Sequence, residues 1–108
     1  MNEKNHVLMF KASADTLFRM KDYTSATILY FKTWFALHDY LLLKKLGITP
    51  KDHAERFRLL ERAFPDEYLA LDKEYTTYRD TYSRIISAED CRRVREVVVH
   101  ALEHHGIV

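Results

Sequence analysis

Apolar residues along this chain recur at steps of three and four, the spacing that puts them on one side of an α-helix. In the first stretch, about Glu3 to Met20, they are Val7, Phe10, Ala14 and Leu17, with lysines and aspartate between them. Asp22-Tyr23-Thr24-Ser25 breaks the pattern. Thr24 or Ser25 is placed to cap a second helix, because a side-chain oxygen there accepts an orphan backbone N–H. That second helix, about Ser25 to Leu46, carries two apolar stripes: Tyr23, Tyr30, Trp34, Leu37 and Leu41 on one side, and Ile28, Phe31, Phe35 and Leu42 on the other. A surface helix needs only one, so this helix is either central or faces another chain. The double stripe predicts more apolar surface than one small monomer can hide, and a homodimer burying on the order of 1,000 Å² or more. Gly47 ends the helix, since glycine takes the left-handed conformation common at helix C-termini.

Thr49-Pro50-Lys51-Asp52 reads as the next start, with Thr49 as cap, Pro50 in the first turn and Asp52 as the acid of a capping box. Ala54, Phe57, Leu60 and Phe64 form the face of this third helix, and Pro65 breaks it. The fourth, about Asp66 to Ile86, has the cleanest repeat: Tyr68, Leu71, Tyr75, Tyr78, Tyr82 and Ile85. Such a seam packs along a neighbouring helix, and each of its tyrosines needs a hydroxyl partner if buried. Ser87 caps a fifth helix with Glu89 and Asp90 in its first turn and Cys91, Val94, Val98 and Ala101 inward; Gly106 stops it. The expectation is an all-α fold: one domain over 1–108, an up-and-down four-helix bundle with an additional short helix.

Composition agrees. Gly and Pro occur only twice each among 108 residues, too few for the turns of a β-fold. The 47% hydrophobic and 31% charged content is that of a globular chain, and at this length about two-thirds of the unfolded surface can be buried. The formal net charge of +1 gives no overall field toward nucleic acid or a membrane. The single cysteine excludes an intramolecular disulfide. Residues Met1 to His6 lead into no long apolar run, so no signal peptide is expected, no segment has the length of a membrane span, and the expected location is cytoplasmic.

The run Leu41-Leu42-Leu43-Lys44-Lys45-Leu46-Gly47-Ile48-Thr49-Pro50-Lys51-Asp52-His53, the pair Leu59-Leu60 and the later Arg79-Asp80-Thr81-Tyr82 occur in an order and spacing that resemble the HEPN family. The resemblance covers about residues 3 to 105. It implies a helical homodimer with a polar cleft at or near the dimer interface. It also implies partnership with a minimal nucleotidyltransferase, often as a toxin–antitoxin pair in which the HEPN protein is a metal-independent ribonuclease. Catalytic members carry an Arg followed, four to six residues on, by a His. Here Arg79 and Asp80 match the start of that motif, but Arg84, Ile85 and Ile86 stand in the window where the His belongs. Metal-free RNA cleavage needs a group that exchanges a proton near neutral pH, and arginine is always protonated. Its guanidinium can still grip a phosphate.

The candidate ligand-binding residues are therefore Arg79, Asp80, Tyr82, Arg84, His53 and Asp39, with no metal and no cofactor expected. Arg79 and Tyr82 either contact a phosphate and a base, or pair with a helix acid and pack in the seam. His53, in the first turn of the third helix, either contacts the ligand, serves as a substitute proton shuttle, or bonds the preceding loop. Lys32 and Asp39 share a face, so Asp39 and neighbouring His38 are either the polar floor of a cleft or a buried pair that sets dimer register. Arg95 and His100 match the Arg–His spacing, but five residues turn them about 140° apart on one helix. His100 and His104 have the i, i+4 spacing of a zinc pair without an evident third ligand. Cys91 reads as a small core residue. Three functions fit: a module that partners a nucleotidyltransferase and binds nucleotide or RNA phosphate; a toxin ribonuclease that uses His53; and a dimerising helical protein without a ligand.

Overall fold

The computed structural model describes residues 3–108, so the reading of Met1 and Asn2 as free of a leader lies outside it. The fold is an all-α helical bundle of five helices: α1 (Glu3–Arg19), α2 (Tyr23–Leu46), α3 (His53–Ala63), α4 (Pro65–Asp80) and α5 (Ala88–His104). α2 is the axis. Its 24 residues span about 36 Å at helical rise, against a longest molecular dimension of 37 Å. α1 folds back along it, and α3, α4 and α5 all contact it, while α3 packs on α4 and α4 on α5.

That arrangement decides between the two options for the double stripe. Tyr30, Phe31, Trp34, Leu37 and Leu42 are wholly buried within one chain, and Phe35 and Leu41 nearly so. The expectation of apolar surface on α2 in excess of what one chain covers is therefore corrected for Tyr30 to Leu42, where the two greasy sides meet the other helices, while Tyr23 and Ile28 are half-buried and Leu43 and Leu46 exposed. No helix of the described residues is long and apolar enough to cross a membrane.

The helix ends follow local chemistry, at shifted positions. α1 closes with Lys21 N–H on the Phe18 carbonyl and Asp22 N–H on the Leu17 carbonyl, the paired bonds of a left-handed helix stop. Lys21 takes the positive φ of 65° there. Asp22, not Thr24 or Ser25, caps α2 by accepting the Ser25 N–H. Thr24 instead accepts the Ile86 N–H at 2.9 Å, tying the α4–α5 connection to the start of α2. The third helix begins later than Thr49 and Pro50 suggest. Asp52 is its cap, accepting the Glu55 N–H, while the Glu55 carboxylate reaches back to the Lys51 N–H. Pro65 breaks α3 and occupies the first turn of α4. Ser87 caps α5 as expected, and Gly106, at φ 73°, supplies its stop.

Two faces differ from the sequence expectation. The buried side of α3 is Arg56, Leu59, Leu60 and Ala63, whereas Ala54 is exposed and Phe57 only half-buried. On α4 the buried line is Glu67, Leu71, Glu74, Thr77 and Tyr78. Tyr68 and Tyr75 are half-buried on its flank. The helix ends at Asp80, so Tyr82 and Ile85 leave the seam and stand 77% and 86% exposed.

Candidate functional site

α1, α2, α3 and α4 frame a cleft of about 260 Å³. α1 contributes His6 and Phe10; α2 contributes Lys32, Phe35, Ala36 and Asp39; α3 contributes His53 and Arg56; α4 contributes Tyr78. Lys32 and Asp39 face the same space, as their seven-residue separation on one helix requires.

Arg56 is the centre of the site. α3 turns it inward in the register that carries Leu59, Leu60 and Ala63, so a cation stands where the pattern calls for an apolar residue, 7% exposed. A buried charge is costly unless paired and hydrogen-bonded. Nη1 donates to the Phe35 carbonyl and to Asp39 Oδ1, both at 2.9 Å, and the guanidinium carbon lies 4.9 Å from the Phe35 ring centroid. Nε is buried without an acceptor among the described residues. Of five guanidinium N–H donors, only those on Nη1 are committed.

His53, the first residue of α3, packs its ring 4.5 Å from that of Phe35 and 5.6 Å from that of Tyr78. Its Nδ1 is buried without a partner among the described residues. Burial, then the Arg56 guanidinium, push this imidazole below the usual histidine range, and a helix N-terminus also disfavours the charged form. A neutral histidine results. Tyr78 meets the Phe35 ring edge-on at 5.1 Å, and its hydroxyl lies 2.8 Å from that of Tyr82. Burial, with that bond, pushes the Tyr78 phenol up to about 12. At the rim, His6 stacks on Phe10 with centroids 5.0 Å apart, and Lys32 is exposed with no hydrogen bond or ion pair to the described residues.

The candidate residues thus divide. Asp39 and His53 lie in the cleft, and Tyr82 reaches its edge through Tyr78. Asp80 and Arg84 are taken up elsewhere: Arg84 bridges Asp80 at 2.9 Å and Asp90 at 3.5 Å, and Arg93 links Asp90 to Glu74. This chain of ion pairs fastens α4 to α5. Arg79 stands exposed on α4, outside both groups, with no hydrogen bond or ion pair among the described residues. Sequence reasoning missed Arg56 as a site residue. The available signal was an arginine three residues after His53, on the face that leads into Leu59 and Leu60.

His38 and Asp39 do not act as one polar floor. Adjacent on a helix, they diverge by about 100°, and His38 turns into the core toward Glu67. Glu67 Oε1 accepts Trp34 Nε1–H at 2.8 Å and lies 3.1 Å from His38 Nε2, while Oε2 stands 3.6 Å from His105 Nε2. Burial works to raise the Glu67 pKa, but the His38 and Trp34 contacts outweigh it and hold the carboxyl below its usual range. Burial pushes His38 down, against the pull of Glu67. Nε2 of a neutral His38 then carries the proton that Glu67 accepts. His100 stacks on His104, and Arg95 turns away to the Tyr30 hydroxyl. Among the described residues no three His, Cys, Asp or Glu side chains stand so as to hold a metal ion. Cys91 is a buried free thiol.

No family model, curated protein or solved structure matches the chain.

Proposed function

We propose that this chain is a HEPN-type helical module whose α1–α4 cleft receives the phosphate of a nucleotide or of RNA. In this reading it acts as a homodimer beside a minimal nucleotidyltransferase, in a toxin–antitoxin-like system. One observation carries the phosphate assignment: a buried arginine with unspent N–H donors beside a cleft that also holds Lys32, a cation with no ion pair among the described residues. A guanidinium grips phosphate oxygens in a fork, and the surrounding Phe10, Phe35 and Tyr78 rings suit a planar group attached to that phosphate. The family and the partner rest on the ordered run from Leu41 to His53 and on Arg79 to Tyr82. With the α2 stripes buried from Tyr30 to Leu42 inside the chain, the homodimer rests on that resemblance.

Isothermal titration of the protein with AMP, ATP and a short RNA oligomer tests the site. Micromolar to sub-millimolar binding is expected for at least one of them, weakened about tenfold by Lys32→Ala, which removes one exposed phosphate contact. No heat of binding from any of the three at millimolar concentration sinks the proposal. Capture from native extract tests the partner, and recovery of no nucleotidyltransferase counts against that half of the reading. Light scattering at micromolar concentration checks the dimer.

A ribonuclease is the second reading, and the state of His53 favours it. In that reading the neutral imidazole, beside two cations, takes a proton from a ribose hydroxyl while the cations hold the adjacent phosphate. Purified protein should then cut structured RNA in the presence of a chelator. Undiminished cutting by His53→Ala removes His53 from that role.

A further inference from the structure

We infer that Asp39 is a resident stand-in for the ligand's anion: its carboxylate holds the place on Arg56 that a phosphate oxygen takes when the proposed phosphate site is filled. Arg56 and Asp39 are unequally buried. The Arg56 side chain is 8% exposed and the Asp39 side chain 39%. The cation is fixed in the core, whereas the anion has one side in water and can leave the cation without crossing buried surface. The fixing is independent of Asp39, because Nη1 also donates to the Phe35 carbonyl and the guanidinium lies over the Phe35 ring.

Asp39 touches Arg56 through one oxygen on one nitrogen, not through the two-pronged contact that a carboxylate and a guanidinium make when they are free to choose. An incoming phosphate meets donors that remain on Nη2, the exposed ammonium of Lys32, and the carboxylate of Asp39 in its way. Two anions cannot share that space without strong repulsion at the reduced dielectric of a cleft. So Asp39 swings toward solvent as the ligand's oxygens take over Nη1. In the empty protein the stand-in keeps a buried cation from being left alone, and it sets a threshold that weakly charged anions do not pass.

Titration with pyrophosphate, with acetate as the weakly charged control, reads this directly. Asp39→Asn keeps an oxygen for Arg56 and removes the charge. It should bind pyrophosphate at least tenfold more tightly than the wild-type chain and show measurable acetate binding that the wild type lacks. If the wild type binds pyrophosphate and Asp39→Asn binds it no better, the stand-in is overturned while the phosphate site survives. If neither protein binds pyrophosphate, AMP or ATP, both fall. Should the Asn variant fail to fold, Asp39→Ser carries the same expectation of tighter binding, and equal or weaker binding by it overturns the stand-in.

Discussion

Glu67 and His38 show how much one residue's setting depends on partners far along the chain. Glu67 stands in the first turn of α4, where a carboxylate favours the helix dipole, yet it is 8% exposed. Trp34 and His38, about thirty residues earlier, make that position tolerable by giving one carboxylate oxygen two donors. The depressed pKa of His38 has a signed consequence. The unfolded chain takes up a proton as pH falls through the ordinary histidine range near 6.5, and the folded chain resists it. Stability from this group is full above that range and is lost as pH drops below it. His53 is shifted in the same direction and adds to the slope. Urea unfolding between pH 8 and pH 5 should therefore show falling stability. His38→Gln, which can still donate to Glu67, should flatten the decline without abolishing it. An unchanged slope in that variant removes His38 from the explanation.

At the scale of the helix, local signals set where elements start and stop, and packing sets which side of each is buried. Lys21 occupies a left-handed position that suits glycine. Lys21→Gly should raise the stability of the folded chain by about 0.5–1 kcal/mol, the relief of backbone strain less the added freedom of the unfolded state. The urea midpoint measures this, and a lowered midpoint contradicts it. The α4 seam gives a sharper contrast. Its tyrosine repeat continues to Ile85 in sequence, but the helix ends at Asp80, where Thr81 bonds back to the Tyr78 carbonyl. Leu71→Ala should cost about 2–5 kcal/mol, and Ile85→Ser should stay within about 0.5 kcal/mol of the parent. Comparable losses at both sites mean that the seam runs on past Tyr82.

For the whole molecule, the decisive fact is that α2 sits inside the bundle. Phe31 lies wholly buried against Trp34, Phe35 and Tyr78, with ring centroids 5.2–6.1 Å apart. Phe31→Ala should cost about 3–5 kcal/mol and leave the mass seen by light scattering unchanged. A change of oligomeric state in a variant that still folds shows that α2 faces another chain after all. The cleft is likewise a property of the whole, since its lining residues come from four different helices. His6, Asp39, His53 and Tyr78 share no motif, and only the crossing of α1, α3 and α4 over α2 brings them together.

The sequence by itself determined that the described residues form five helices, and nearly where each one ends apart from α4, which stops at Asp80 rather than near Ile86. Apolar periodicity, caps such as Ser87 and stops such as Gly47 and Gly106 act over four or five residues, and four or five residues are enough to read them. Asp39 and His53 were also legible as candidates, by residue type and position on a helix. The tertiary structure alone decided that α2 is enclosed within one chain, that Glu67 and Glu74 replace tyrosines in the buried line of α4, and that Arg56 rather than Arg79 or Arg84 meets Asp39. The reason is common to all three. A polar or charged group goes inside when another helix supplies its partner, and the identity of that helix is fixed by packing geometry, which no local pattern encodes.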